Sequence, residues 1–135
     1  MMISTRGRYA LRVMIDLAEH GSGGYNAMKE VAERQNISLK YMEKILPLLV
    51  SEKLVEGVHG KGGGYRLTRS PEEYRISEIL NLTEGGLEPV ACLSCGAEPC
   101  TKTAECRTLP LWTELNRRIQ EYLSGVTLAE LMKNE

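Results

Sequence analysis

Residues 54–69 read LVEGVHGKGGGYRLTR, with four glycines among the six residues HGKGGG. Glycine-rich tracts of this length punctuate a chain as a turn, and the runs on either side, LVEGV and YRLTR, have the residue types of short strands. The segment therefore predicts a tight β-hairpin whose tip carries His59 and Lys61 among Gly60, Gly62, Gly63 and Gly64.

What precedes the hairpin is helical. Ala10, Val13, Met14, Leu17 and Ala18 recur on one helical face, with Ser4 or Thr5 placed to cap its start and GSGG at 21–24 to stop it. A second helix is expected from about Ala27 to Gln35, capped by Asn26, with Met28, Val31 and Ala32 inward. Four residues, QNIS, lead to a third helix capped by Ser38, with Leu39, Met42, Ile45, Leu46 and Leu49 as its apolar stripe. Pro47 lies inside that helix, where it removes one backbone hydrogen bond and predicts a bend after the first two turns.

Two short helices joined by about four residues have the spacing of a helix-turn-helix, and a hairpin directly after them is the wing of a winged helix. The expected fold class is mainly α with a small β-hairpin wing: a winged helix-turn-helix plus a long C-terminal dimerisation helix. In such a unit the N-terminal end of the second helix of the pair meets base edges in the major groove. Here that end offers Ser38, Lys40, Tyr41, Glu43 and Lys44. Glu43 is informative because a carboxylate accepts a hydrogen bond from cytosine N4 but repels phosphate. At the wing, Gly62 and Gly63 allow close backbone approach to the sugar-phosphate chain, and His59 or Lys61 can enter a minor groove. Arg6, Arg8 and Tyr9, at the start of the first helix, suit phosphate contacts.

Beyond the wing, SPEEYRIS predicts a turn and SEILNLTEGG a fourth short helix. All four cysteines, Cys92, Cys95, Cys100 and Cys106, then fall in ACLSCGAEPCTKTAEC, whose weak apolar periodicity reads as a loop. The stretch TLPLWTELNRRIQEYLSGVTL is helical, with Pro110 tolerable in its first turn. Trp112, Leu115, Ile119, Tyr122 and Val126 follow a heptad rhythm, either a seam for a second copy or a face packed on the chain's own domain. The winged-helix unit looks complete by residue 84, which favours the dimer. Thr127 and Glu130 form a capping-box pair for a last short helix. The resulting organisation is a DNA-binding domain at 1–84, a cysteine loop at 85–108 and a dimerisation segment at 109–135.

A hydrophobic fraction of 42% and a charged fraction of 26% belong to a soluble globular class. The N-terminus has no uninterrupted apolar run or cleavage site of a signal peptide, and nothing approaches a membrane span. The expectation is a cytoplasmic protein without membrane contact, where clustered thiols are metal ligands or redox sensors rather than structural disulfides. The net charge of −1 hides 12 Lys/Arg against 9 Asp/Glu in residues 1–75 and 5 against 9 in residues 76–135. A mildly basic front half is compatible with nucleic acid.

The cysteine spacing, C-x2-C-x4-C-x5-C, matches neither ferredoxin pattern. Four thiolates would also suit zinc, although structural zinc sites usually pair two C-x2-C units. Spacing alone leaves an iron–sulfur cluster, zinc, and a thiol or disulfide switch open. An enzyme is not expected: the chain has no cofactor fingerprint, no histidine in the loop and no C-x-x-C beside a βαβ pattern.

The stretches STRGRYALRVMIDLA, VAERQNISLKYMEKIL, LVEGVHGKGGGYRL, SEILNLTEG and LPLW, in this order, resemble the Rrf-type winged helix-turn-helix transcription regulators, and within them the iron–sulfur cluster regulators of the IscR type. The resemblance covers essentially the whole chain. It implies a homodimer that binds double-stranded promoter DNA, a labile [2Fe–2S] cluster in the loop, control of iron–sulfur cluster assembly genes, and assembly proteins as cluster donors. It also implies that Glu43 discriminates between classes of site, and that His59 stands where such regulators typically carry an arginine. Alignment from both ends matches Cys92, Cys100 and Cys106 to the cluster ligands. Leu109 occupies the place of the expected histidine, so the fourth ligand is open among Cys95, Glu98, Glu105 and a partner residue. Zinc or a thiol redox site is the alternative within the same family.

Overall fold

The computed structural model describes residues 2–21, 24–93 and 106–132. Its first helix, α1 (Thr5–Glu19), begins where the Ser4 hydroxyl accepts a hydrogen bond from the Gly7 N–H at 3.1 Å, satisfying one of the orphan donors of the first turn. Helix α2 (Met28–Gln35) ends at Asn36, whose left-handed backbone (φ 54°) turns the chain toward α3 (Leu39–Ser51). Ser38 caps α3 as expected, accepting from the Tyr41 N–H at 3.1 Å. One helix runs through Pro47, whose missing N–H deprives the Glu43 carbonyl of its usual partner.

The cap of α2 differs from expectation. Ala27 holds the position, without a side-chain hydrogen bond. Asn26 is committed elsewhere: its N–H donates to the Tyr65 carbonyl at 2.9 Å and its carbonyl accepts from the Tyr65 N–H at 2.8 Å. The loop before α2 thus adds a rung to the hairpin.

The hairpin pairs β1 (Val55–Val58) with β2 (Gly64–Leu67), with Val55 opposite Leu67 and Val58 opposite Gly64. The ladder is shorter at its base than LVEGV and YRLTR suggested, and the cause is Tyr74. Its phenol donates to the Leu54 carbonyl at 2.6 Å and accepts from the N–H groups of Thr68 and Arg69 at 2.9 and 3.1 Å. Those three backbone groups are satisfied by one fully buried side chain in place of a continued strand pair. At the other end, Gly64 is strand and not turn: a Cβ there would lie 2.3 Å from the Asn26 carbonyl oxygen.

Following a short 3-10 turn at Pro71–Glu73, α4 (Ile76–Glu84) closes the core. Val13, Met14 and Leu17 of α1, Met42, Ile45, Leu46 and Leu49 of α3, and Ile79 and Leu80 of α4 are buried together. Leu39 leaves the expected stripe, being 44% exposed.

The last helix, α5 (Leu109–Gly125), packs on α4, with the Ser124 hydroxyl donating to that of Ser77 at 3.2 Å. The expected seam divides. Ile119 and Val126, together with Leu123, pack against the core of their own chain, whereas Leu115 and Tyr122 face outward with Leu111. Residues 119, 123 and 126 follow the i, i+4, i+7 rhythm of one helix face, so a second apolar stripe overlaps the heptad reading. The capping box forms, with the Thr127 N–H donating to Glu130 at 2.6 Å, and introduces a single 3-10 turn at Ala129–Leu131. Leu128, fully buried, is held by its N–H on the Tyr74 carbonyl at 3.0 Å, next to an Ile76–Val126 backbone bond of equal length. Among the described residues no helix is long and apolar enough to cross a membrane.

Candidate nucleic-acid interface

Ser38, Lys40, Glu43 and Lys44 all lie exposed at the N-terminal half of α3. Among the described residues, Lys40 and Glu43 make no hydrogen bond or ion pair, so both heads are available to a partner. Tyr41 is different. It is half-buried, its ring meets that of Tyr9 edge-on at 5.1 Å, and the Lys44 ammonium lies 5.9 Å above it. Tyr9 in turn sits under the Arg12 guanidinium at 5.1 Å. The two tyrosines expected to touch DNA thus join α1 to α3 and set the pitch of the helix that carries Lys40 and Glu43.

Arg6 and Arg8 are exposed, but Arg6 already has a partner. Its Nε and Nη2 both donate to the Thr83 carbonyl, at 3.1 and 2.7 Å, capping the C-terminal turn of α4 where a cation is favoured. Arg8 reaches back to the Thr5 hydroxyl at 3.1 Å.

At the wing tip His59, Gly60, Lys61 and Gly62 are exposed. Gly60 and Gly62 have positive φ and open space around them. Gly63 is glycine for an internal reason, since a Cβ would stand 2.2 Å from the Val58 carbonyl oxygen. It shapes the tip and is half-buried in it.

Sequence reasoning missed the group that braces this surface. Asp16 of α1 is fully buried, and the Arg34 guanidinium of α2 grips its carboxylate through Nη2 at 2.7 Å and Nε at 3.0 Å. The Gln35 amide adds a third donor at 2.9 Å, and Arg12 reaches the Gln35 carbonyl. Arg34 also donates to the Asn26 side chain at 3.3 Å. A bidentate pair of this kind fixes orientation as well as distance, and the carboxylate raises the Arg34 guanidinium further above its ordinary range. The chain from Asp16 to Arg34 to Asn26 to Tyr65 links α1 and α2 to the wing. The available signal was a lone acid beside Leu17 on an otherwise inward-facing stripe. On the wing itself, Arg66 is paired with Glu56 across the strands and stacks over Tyr25 at 4.5 Å.

Two of the four cysteines fall within the described residues. Cys92 is exposed in a 3-10 turn at Ala91–Leu93, and Cys106 is half-buried just before α5; both are free thiols. Cys95 and Cys100, with Glu98 and Glu105, lie outside the described residues. The Cys106 sulfur is 3.5 Å from the Thr108 hydroxyl, and that contact, with the N–H groups of Thr108 and Leu109, holds its thiol below the ordinary value. Leu109 begins α5. Two unpaired thiols on either side of residues 94–105 in the sequence, one of them held below its ordinary value, fit the chemistry of a thiolate-ligated metal group. Among the described residues no three ligand side chains converge on a point.

A family model described as Rrf2, iron-dependent transcriptional regulator, matches residues 3–134. The chain belongs to the Rrf2 family. Within it, the HTH-type transcriptional regulator IscR of Sodalis glossinidius is 37% identical over 135 residues, spanning 100% of this chain and 81% of that protein. The IscR of Aliivibrio salmonicida is 36% identical over 132 residues, spanning 98% of this chain and 77% of the relative. Among solved structures, CymR, the global cysteine regulator of B. subtilis, superimposes with a TM-score of 0.78 at 32% identity, over 97% of this chain and 95% of that one. T. potens IscR superimposes with a TM-score of 0.74 at 29% identity, over 97% and 85% of the two chains. These Rrf2 proteins are transcriptional regulators and not enzymes, and the winged-helix architecture is common to them and to this chain.

Proposed function

We propose that this Rrf2 protein is a cytoplasmic, homodimeric, DNA-binding regulator that reports iron–sulfur status through a labile [2Fe–2S] cluster and controls cluster-assembly genes. The observation that carries the DNA-reading part is the unpartnered, exposed pair Lys40 and Glu43 on a helix whose pitch is fixed by the Tyr9–Tyr41 contact. Ser38, Lys40, Tyr41, Glu43 and Lys44 form the major-groove end, His59, Lys61, Gly62 and Gly63 the wing contact, and Arg6 and Tyr9 the flank. Exposed Leu111, Leu115 and Tyr122 on α5 supply a face for the second subunit.

For sensing, Cys92, Cys100 and Cys106 are the ligands and Cys95 the candidate fourth. A bound cluster supplies a cross-link between the segment leaving α4 and the segment entering α5. The protein side of the linkage is short. Ser4 at the head of α1 is bonded to Glu84, the last residue of α4, which is followed by Gly85, Gly86 and the loop. A cross-link from Cys92 to Cys106 would bear on that junction, and its effect on DNA affinity equals the difference in cluster affinity between the two states. Assembly proteins would act as cluster donors.

A second reading keeps the regulator and makes the cysteines a zinc or thiol redox site. The depressed Cys106 thiol and the likeness to CymR favour it. One experiment separates the two: DNA selection with the apo protein and with anaerobically reconstituted protein, alongside absorption spectra and metal analysis. A coloured, iron-loaded protein with altered site preference is expected. A colourless protein that binds zinc stoichiometrically, or identical preferences in both forms, overturns cluster sensing.

A further inference from the structure

The exposed surface of α3 is divided by charge. Successive residues of an α-helix are 100° apart, so residues four apart form rows along its surface. One exposed row is Leu39, Glu43 and Pro47; the neighbouring one is Lys40 and Lys44. The first row contains no cation. The second contains nothing else.

These rows cannot be interchanged in a DNA groove. Lysines gain by lying along phosphates, whereas a carboxylate is repelled by them and finds its favourable partner in cytosine N4. When the lysine row follows one strand's backbone, the Leu39 row is turned toward the base edges. Leu39 is then the residue that meets the floor of the groove one turn before Glu43.

Leu39 is also oddly placed for a core residue. It is 44% exposed, whereas Met42, Ile45, Leu46 and Leu49 on the same helix are buried. It occupies the first helical position after the Ser38 cap, at the end of the helix that enters the groove. Tyr41, the other large side chain there, is held by Tyr9 and Lys44. In the major groove the one apolar group offered by the bases is the C5 methyl of thymine.

We propose that Leu39 is a specificity-determining residue that packs against a thymine methyl, next to the cytosine read by Glu43. This rests on the DNA-binding reading above and adds to it a base and an atom. Burying one methyl-sized group contributes about a fourfold change in affinity per half-site.

The test uses the full chain and an operator obtained by DNA selection. Each thymine of a half-site is replaced in turn by deoxyuridine, which removes only the methyl. The native protein is expected to lose about fourfold at one thymine adjacent to a cytosine. Leu39→Ala is expected to bind the thymine and uridine operators equally, and Leu39→Met to keep the discrimination. Because Leu39 is exposed, the Leu39→Ala melting curve should match the native one, which separates lost contact from lost fold. Lys40→Ala and Lys44→Ala should each reduce the salt dependence by about one ion without changing the uridine pattern. Uridine tolerated at every position, or a uridine penalty that survives in Leu39→Ala, overturns the inference while leaving DNA binding intact. Selection that enriches no sequence overturns the DNA-binding reading itself.

Discussion

Glu84, the last residue of α4, bonds Ser4 at the head of α1 with both carboxylate oxygens: the Ser4 N–H donates to Oε1 at 2.5 Å and the Ser4 hydroxyl to Oε2 at 2.7 Å. Gly7, one turn on, leaves room for it, since a Cβ there would stand 2.8 Å from Glu84 Oε1 and 3.1 Å from Thr83 Oγ1. Glu84→Ala should cost about 1–2 kcal/mol in urea unfolding, from two lost hydrogen bonds to one carboxylate, both charge-assisted and only part-buried. Gly7→Ala should be destabilising alone and clearly less so in the Glu84→Ala background, where the crowding oxygen is gone. Additive costs in that double-mutant cycle would refute the contact.

Removing the carboxylate at Asp16 should be the more damaging change. Asp16 is fully buried and Arg34 is 30% exposed, so the stranded guanidinium can turn partly toward water. Asp16→Ala is expected to lower stability by about 2–4 kcal/mol, at the lower edge of what breaking buried pairs costs. Chemical shifts of Asn26 and Tyr65 in the wing should move with it, because Arg34 also holds Asn26.

Gly64 and Gly21 should respond oppositely to alanine. Gly64 has φ 147° and its Cβ would collide with the Asn26 carbonyl, whereas nothing lies within 4 Å of a Cβ on Gly21. Gly64→Ala should cost about 2 kcal/mol or more, by calorimetry, and Gly21→Ala should be close to neutral.

The outward face of α5 predicts the assembly state. Tyr122 is 70% exposed, on the flank of the stripe through which Ile119, Leu123 and Val126 pack on the core. Leu115→Glu with Tyr122→Glu should convert a sedimenting dimer to monomer and weaken operator binding, with helical content retained. A native protein that sediments as a monomer at micromolar concentration would remove the dimer proposal.

Acid titration should find the Glu114 carboxyl of α5 far below the ordinary carboxylate range. Arg117 and Arg118 both donate to Glu114, holding it down to about 2. With the folded value depressed, whatever stability the group contributes is fully present above its unfolded value and is lost only as pH falls through about 2. Carbon-detected NMR should show Glu114 still ionised at pH 3. The three residues are exposed, so the effect on the melting temperature should be small.

Local signals carried much of the architecture. Serine caps at Ser4 and Ser38, the glycine-rich tip and the Thr127–Glu130 box are short-range chemistry, and each stands where its residues suggested. The discrepancies have long-range causes. Asn26 was drawn from its cap to Tyr65, 39 positions away. Tyr74 shortened the strands by taking their backbone groups. The α5 seam divided because Leu123 belongs to an inward stripe that a heptad count passes over. For the site, residue type marked Lys40 and Glu43, but it did not reveal that Arg6 and Tyr9 also make contacts within the protein or that Leu39 faces out.

The backbone bond from Leu128 to Tyr74 and the burial of the Leu128 side chain in the common core also have a temporal consequence. During synthesis the first 84 residues emerge without the leucine that fills their interior. The winged helix reaches its full packing only after the cysteine segment and α5 have left the ribosome. A ribosome that stalls within α5 therefore holds a winged helix whose core is not yet sealed by Leu128.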